Sequence, residues 1–180
     1  MPDVAIRPAT QDDLEILWDF LTIAAYEPNV TAARSAPGVA AYLAGWQRLH
    51  DFGFVARQDG VVIGAAWARH FSPDEQKKVI GDEPTPKVSI GVKAHFRGQG
   101  VGEKLLRALI TEAAQRSVGL CLSVRQDNPA RRLYERMGFR VVPGSTVPNR
   151  VGGLSIGMVF DDQPKGARSN GHMAEDDSLD

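Results

Sequence analysis

The segment Arg97-Gly98-Gln99-Gly100-Val101-Gly102 limits the folds open to this chain more than any other. It follows an apolar run at 88–92 that reads as a strand. It opens a helix that extends to residue 116, with Leu105, Leu106, Leu109, Ile110 and Ala113 on one face. Glycine has no Cβ, so the backbone here can curl and come close to a ligand. Successive amide N–H groups then converge on one concavity, with the positive end of the helix behind them, and phosphate is favoured there. Gln99 and Val101 would supply amides, and Arg97 a cation. Two common phosphate motifs fail on spacing. A Walker A loop needs Gly-Lys-Ser/Thr where this chain has Glu103-Lys104-Leu105, and the dinucleotide fingerprint needs a glycine where Glu103 stands. Taken alone, the glycines fit a plain strand-to-helix connection equally well.

The flanking sequence alternates strand and helix patterns. Residues 4–7 read as a strand ended by Pro8, and Thr10 with Asp13 reads as a helix start. Leu14, Leu17, Trp18, Leu21 and Ala25 then share a helical face. After a break at Glu27-Pro28-Asn29, a second helix is expected over 39–49. Runs at 54–57 and 61–69 flank Gln58-Asp59-Gly60, the signature of a hairpin with a primed turn. The polar, proline-containing stretch 72–87 reads as a mobile loop beside a binding site. A strand at 120–124 precedes Asn128-Pro129, a helix cap followed by proline at the first helical position. That helix runs to Met137 and stops at Gly138. Gly119 reads as the stop of the preceding helix. Strands at 139–142 and 154–160, joined by a Pro/Gly-rich connection, complete the pattern.

A chain of 180 residues suits one domain. Residues 161–180 have almost no apolar content, so the domain is read as 1–160 with a disordered acidic tail at 161–180. The tail carries six acidic residues against Lys165 and Arg168, which leaves 19 basic and 16 acidic residues in the body. That slight excess suits a polyanionic ligand. The formal net charge of −1 gives no bulk field for nucleic acid. No run approaches the roughly 20 apolar residues of a membrane span. Cys121 is the single cysteine, so no intramolecular disulfide can form, and a cytoplasmic location is expected. No metal is expected.

The glycine segment is one of two motifs that occur in order. The stretch from Val92 to Leu106 resembles the acyl-CoA motif of the GNAT N-acetyltransferases, Arg/Gln-x-x-Gly-x-Gly/Ala, met here by Arg97, Gly100 and Gly102. Asn128-Pro129-Ala130-Arg131-Arg132-Leu133-Tyr134-Glu135-Arg136-Met137-Gly138-Phe139 resembles that family's second signature, Asn…Leu-Tyr-Glu…Gly-Phe. Ile6-Arg7-Pro8 with Asp12-Asp13-Leu14 is similar to its first strand and helix. The resemblance implies an α/β (α+β) fold, a mixed, mostly antiparallel twisted sheet of about seven strands flanked by four helices. It implies that strands four and five splay apart and take the pantetheine arm of acetyl-CoA, which would be the cosubstrate. Ile90, Gly91 and Val92 would then offer backbone groups to that arm. Arg97, Gly98, Gln99, Gly100, Val101, Gly102 and Glu103 would surround the pyrophosphate. Asn128 would face the cofactor; a plain helix cap is the other reading of it, and this chain has one residue fewer between Asn128 and Tyr134 than many members.

The implied reaction is direct attack of an amine on the thioester, so Cys121, in an apolar strand, is not expected to be a nucleophile. Freeing an ammonium at neutral pH costs roughly 4–5 kcal/mol, so a base or a water chain would help. The resemblance makes Tyr134 the general acid for the departing thiolate; a core aromatic is the alternative. Many members carry Glu where this chain has Lys87. Glu83 is the first choice of base, Asp82 and Glu27 are others, and deprotonation through water with no dedicated base stays open. His95 is expected to be exposed. Trp18, Tyr26, Trp46 and Trp67 are candidates for acceptor walls or for the core. The expected function is acetyl transfer from acetyl-CoA to an amine on a small molecule, protein or peptide. A non-catalytic acyl-CoA-binding sensor is the alternative, and a homodimer stays open.

Overall fold

A computed structural model describes residues 3–72, 74–75, 80 and 85–161. Most of the expected loop at 72–87, and the tail beyond residue 161, lie outside the described residues. The strands are β1 Ala5–Pro8, β2 Phe52–Gln58, β3 Val61–Arg69, β4 Lys87–Val92, β5 Leu120–Arg125, β6 Arg140–Val141, β7 Val147–Pro148 and β8 Leu154–Phe160. The helices are α1 Leu14–Ala25, α2 Val30–Ser35, α3 Pro37–Ala40, α4 Val101–Gln115 and α5 Ala130–Arg136. One sheet runs β1-β2-β3-β4-β5-β8-β6, with β7 paired to β8. Every pair is antiparallel except β4 with β5.

Each face of the sheet carries its own buried cluster. Leu17, Trp18, Phe20 and Leu21 of α1 pack with Ala33, Leu43, Val55, Ala65 and Trp67 on one face. Val101, Leu105, Leu106 and Leu109 of α4 pack with Ala66, Ala68, Leu120, Leu122 and Tyr134 on the other. β3 is therefore covered on both sides, which is why its sequence is apolar almost throughout. The α1 start forms as its sequence implies. Asp13 closes a capping box with Thr10 and accepts two 2.7 Å bonds from Arg7. This pairing holds its carboxyl below the usual carboxylate range. The hairpin turn also forms as expected, with positive φ at both Asp59 and Gly60.

Three elements differ from the sequence expectation. The single helix expected over 39–49 is reduced to the end of α3, which stops at Ala40 and is followed by turns, and α2 forms ahead of it. The reason is buried in β3. Arg69, fully enclosed, takes the carbonyls of Ala41 and Ala44 at 2.9 and 2.7 Å, and Trp67 Nε1 donates to Tyr42 O at 2.9 Å. Carbonyls turned toward these donors are lost to a regular helix, and Gly45 and Gln47 take positive φ to carry the chain round. The stop of α4 is Ser117, not Gly119. Ser117 sits at φ 56°, Ser117 N–H donates to Ala114 O and Val118 N–H to Ala113 O, a Schellman closure. Gly119 is needed for another reason, because a Cβ there would lie 2.9 Å from Phe160 O. β7 is an extra strand inside the Pro/Gly-rich connection. Beside it, the Ser145 hydroxyl accepts from Gly157 N–H at 2.9 Å and donates to Val142 O at 2.6 Å.

Arg69 completes its shell with two bonds to Asp51, at 3.1 and 2.7 Å, and both side chains are sealed from solvent. Asp51→Ala strands a buried guanidinium, so denaturant unfolding should show a loss of about 3–5 kcal/mol.

Candidate active site

β4 and β5 touch at one point. Cys121 N–H donates to Pro86 O at 2.9 Å, Lys87 is in register with Cys121, and no further pairing joins the two strands. Beyond this point they diverge, leaving an edge of each strand without a neighbour. Lys93 N–H donates to Ile63 O at 2.9 Å. Hydrogen-bonded pairs alternate along an antiparallel ladder, so Gly91 is bonded to Ala65 of β3, while the peptide groups of Ile90 and Val92 face the gap. Gly91 contributes through its missing side chain, because a Cβ there would lie 2.7 Å from Phe20 O. Its absence lets α1 lie directly on β4.

The glycine turn stands at the wide end of this gap. Gly98 and Gly100 have φ of 73° and 81°, and each faces open space where a Cβ would be. The first helical bond of α4 is Lys104 N–H to Gly100 O. From residue 98 through residue 103 no backbone N–H donates to an acceptor among the described residues. A run of unused amides at the start of a fifteen-residue helix is an arrangement that suits a polyanion such as a diphosphate. Arg97 is exposed beside it and its Nε bonds to Val92 O at 3.1 Å. Gln99 turns its amide to His95 O, so its backbone alone is offered. The Glu103 carboxylate is drawn along the helix to Arg107 at 2.9 Å. Gly102 has a packing role as well: a Cβ there would sit 3.3 Å from Leu133 Cδ2.

Across the gap, Asn128 caps α5 through its Oδ1, which accepts from Ala130 N–H at 2.9 Å. Its Nδ2 donates to the Tyr26 hydroxyl at 2.8 Å. Both ends of the side chain are thus engaged within the protein. Tyr134 is buried with its ring 5.9 Å from that of Phe139, in the cluster that holds Val88 of β4 and Leu122 and Val124 of β5. Its hydroxyl has no hydrogen-bond partner, and no buried polar side-chain atom is left unsatisfied, among the described residues, so the hydroxyl reaches an accessible space. Burial pushes its pKa above the usual phenol value, and neighbouring Tyr26 pushes the same way.

Glu83 and Asp82 lie outside the described residues. Glu27 is described; its carboxylate is 12% exposed and pairs with Arg150 at 2.6 Å. Lys87 has its Nζ 5.7 Å from the Phe71 ring, and burial lowers its pKa. Cys121 is buried, donates to Thr85 O at 3.3 Å, and is pushed up to about 12 by burial, the opposite of an activated thiol. His95 is exposed. Trp18, Trp46 and Trp67 are core, whereas Tyr26 is 55% exposed at the end of α1. Sequence reading missed Arg150, the one cation of the Pro/Gly-rich connection at 143–153, because its partner Glu27 lies far away in the chain.

A family model described as acetyltransferase (GNAT) family matches residues 14–139. The chain is 32% identical over 113 residues to N-alpha-acetyltransferase 40 of Saccharomyces cerevisiae; the match covers 53% of this chain and 39% of that protein, so the chain spans well under half of its length. Among solved structures, ribosomal-protein-alanine N-acetyltransferase from Brucella melitensis superposes with a TM-score of 0.66 at 26% identity, over 87% of this chain and 99% of that one. A putative acetyltransferase from Salmonella typhimurium, solved with acetyl-CoA, gives 0.68 at 24% identity, over 93% and 98% of the two chains.

Two outcomes follow from this geometry. Gly100→Val forces a β-branched residue into the left-handed region, at a cost of about 1–3 kcal/mol, and turns the amides out of line. Calorimetry with acetyl-CoA should show affinity reduced at least ~10-fold, with the thermal transition still cooperative. Cys121 in the native protein should resist a thiol-directed disulfide reagent at pH 8 and react fully once the chain is unfolded.

Proposed function

The chain belongs to the GNAT acetyltransferase family, and from that premise we propose that it transfers the acetyl group of acetyl-CoA directly to an amine, with Tyr134 serving the departing thiolate. The observation that carries this reading is the combination of a parallel pair joined at one point with a run of free amides at the head of α4. An extended arm bearing a diphosphate at one end fits that arrangement. Ile90 and Val92 would bond the arm through their gap-facing peptide groups, and the amides of 98–103 would hold the diphosphate. The non-catalytic sensor is not favoured beside relatives named as acetyltransferases.

The chemistry needs few groups. The neutral amine nitrogen adds to the thioester carbonyl and the C–S bond breaks. The thiolate takes or shares the Tyr134 proton, the new amide nitrogen gives one up to the base or to water, and a proton returned through solvent restores Tyr134. A thiol near pKa 8.5 and a phenol near 10 make full transfer uphill by about two kcal/mol, so a hydrogen bond that strengthens as charge builds on sulfur is sufficient. Burial raises Tyr134 further, which keeps its proton in place at alkaline pH. The base is a separate matter. Glu83 remains the proposed first choice, with a water path to solvent as the other route. For the acceptor we place the α-amine of a polypeptide first, because the yeast relative is named an N-alpha-acetyltransferase and the Brucella structure a ribosomal-protein-alanine N-acetyltransferase.

The test is thiol release from acetyl-CoA with purified protein and a panel of peptides, polyamines, amino acids and aminoglycosides. Release above the no-acceptor background with any amine supports the activity; binding of acetyl-CoA with no release across the panel overturns it. Tyr134→Phe should lower kcat about 10²-fold while calorimetry shows acetyl-CoA affinity nearly kept. Because the folded pKa of Tyr134 is raised, its proton stays on well above the ordinary phenol pKa. kcat should therefore rise with pH as the amine deprotonates, with no descending limb below a pH of about 10. A fall in that range which disappears in Tyr134→Phe would contradict the assignment.

A further inference from the structure

Tyr26 is 55% exposed, yet it is held from several sides. It ends α1 in the left-handed conformation at φ 57°. The Arg125 guanidinium lies 4.9 Å from its ring centroid and is itself anchored by two bonds to Asp127. One residue on, Glu27 is fastened to Arg150, whose guanidinium also donates to Ala25 O at 3.4 Å. Arg150 belongs to a tip at 149–153 made rigid by Asn149, whose Oδ1 accepts from Val151 and Gly153 N–H at 3.1 and 3.0 Å. Ordinary surface tyrosines lack such fixing, and ordering one costs side-chain entropy.

The direction of the hydrogen bond to Tyr26 is determined by the backbone. An amide side chain can be reversed end for end, so which atom faces a hydroxyl has to be settled by its other partner. Here Asn128 faces Ala130 N–H, a donor that only Oδ1 can satisfy, at 2.9 Å. The atom turned to Tyr26 is therefore Nδ2, and the tyrosine oxygen is the acceptor. The Tyr26 hydroxyl proton is left with no acceptor among the described residues. Tyr26 raises the Tyr134 pKa electrostatically, and it is bonded to the residue that caps the Tyr134 helix, so the two hydroxyls share one neighbourhood.

We propose that Asn128 is a positioning residue that acts through Tyr26, fixing that hydroxyl as a hydrogen-bond donor to the incoming substrate and not serving the cofactor itself. The proposal rests on the acetyltransferase reading and its polypeptide acceptor, and names the residues that would select that acceptor. A donor with its accepting site already filled matches an oxygen acceptor and does not match another N–H. An amine flanked by a carbonyl, as at the N-terminus of a peptide, supplies that oxygen. A polyamine supplies only ammonium donors.

The experiment uses the full chain with two acceptor probes, a mixture of short peptides with free α-amines and spermidine, plus coenzyme A calorimetry. Wild type should release thiol with the peptides and far less with spermidine. Tyr26→Phe should raise the peptide KM about tenfold, the equivalent of one lost hydrogen bond, with kcat and coenzyme A affinity within twofold. Asn128→Asp keeps an oxygen for Ala130 N–H, so α5 stays capped and the thermal transition unchanged. It now accepts the Tyr26 proton, and should raise KM as Tyr26→Phe does. In a Tyr26→Phe background, Asn128→Asp should add nothing. Weaker coenzyme A binding by Asn128→Asp in either background would overturn the proposal, as would spermidine serving as well as peptides in wild type. Failure of wild type to bind coenzyme A at all would instead remove the acetyltransferase reading beneath it.

Discussion

The single point at which β4 and β5 pair, where Cys121 N–H meets the carbonyl of Pro86, sets the plan of this molecule. It joins two parallel strands and lets them separate. A sheet broken in this way must be held elsewhere, and both halves are. β3 bonds β4 along its whole length, and β8 bonds β5 along its whole length. The rift between them is thus a fixed feature between two rigid ladders, not a loose seam. Peptide groups that face it have no strand partner there among the described residues, and leaving such groups dry is expensive.

The helices respect the same constraint on either side. α1 lies close enough to β4 that only glycine fits at position 91. α4 begins where β4 ends, and its first amides open onto the mouth of the rift. α5 follows the end of β5 and packs Tyr134 against Val88 of β4 and Leu122 and Val124 of β5. The polar network of Arg125, Asn128, Tyr26, Glu27 and Arg150 then ties the end of α1 to both the start of α5 and the β7–β8 tip. These contacts are individually worth little on a surface. Together they hold one face of the rift in a defined shape.

Much of this was legible in the sequence because local rules and global fold agree. Thr10 and Asp13, Asp59-Gly60, Asn128-Pro129 and the glycine turn each announce a backbone conformation that the fold uses. What was hidden depends on partners distant in the chain. Nothing near residues 39–49 reveals that Arg69 and Trp67 will claim their carbonyls. Phe20 was left off the predicted face of α1, yet it is fully buried because that helix is covered more widely than one stripe. Gly119 carried the usual helix-stop signal, but Ser117 took that conformation, and the glycine answers instead to the carbonyl of Phe160. The partner of Asn128 could not be read at all, since Tyr26 precedes it by 102 positions.

The Ser145 hydroxyl, wedged between Val142 and Gly157, has a consequence for self-association. It fills the stretch of β8 that lies between the short β6 and β7, so that outer rim presents few open peptide groups to a visiting strand. The opposite rim is β1, four residues long and finished by Pro8. With both margins blunted, neither rim of the described sheet offers a long open edge to another strand.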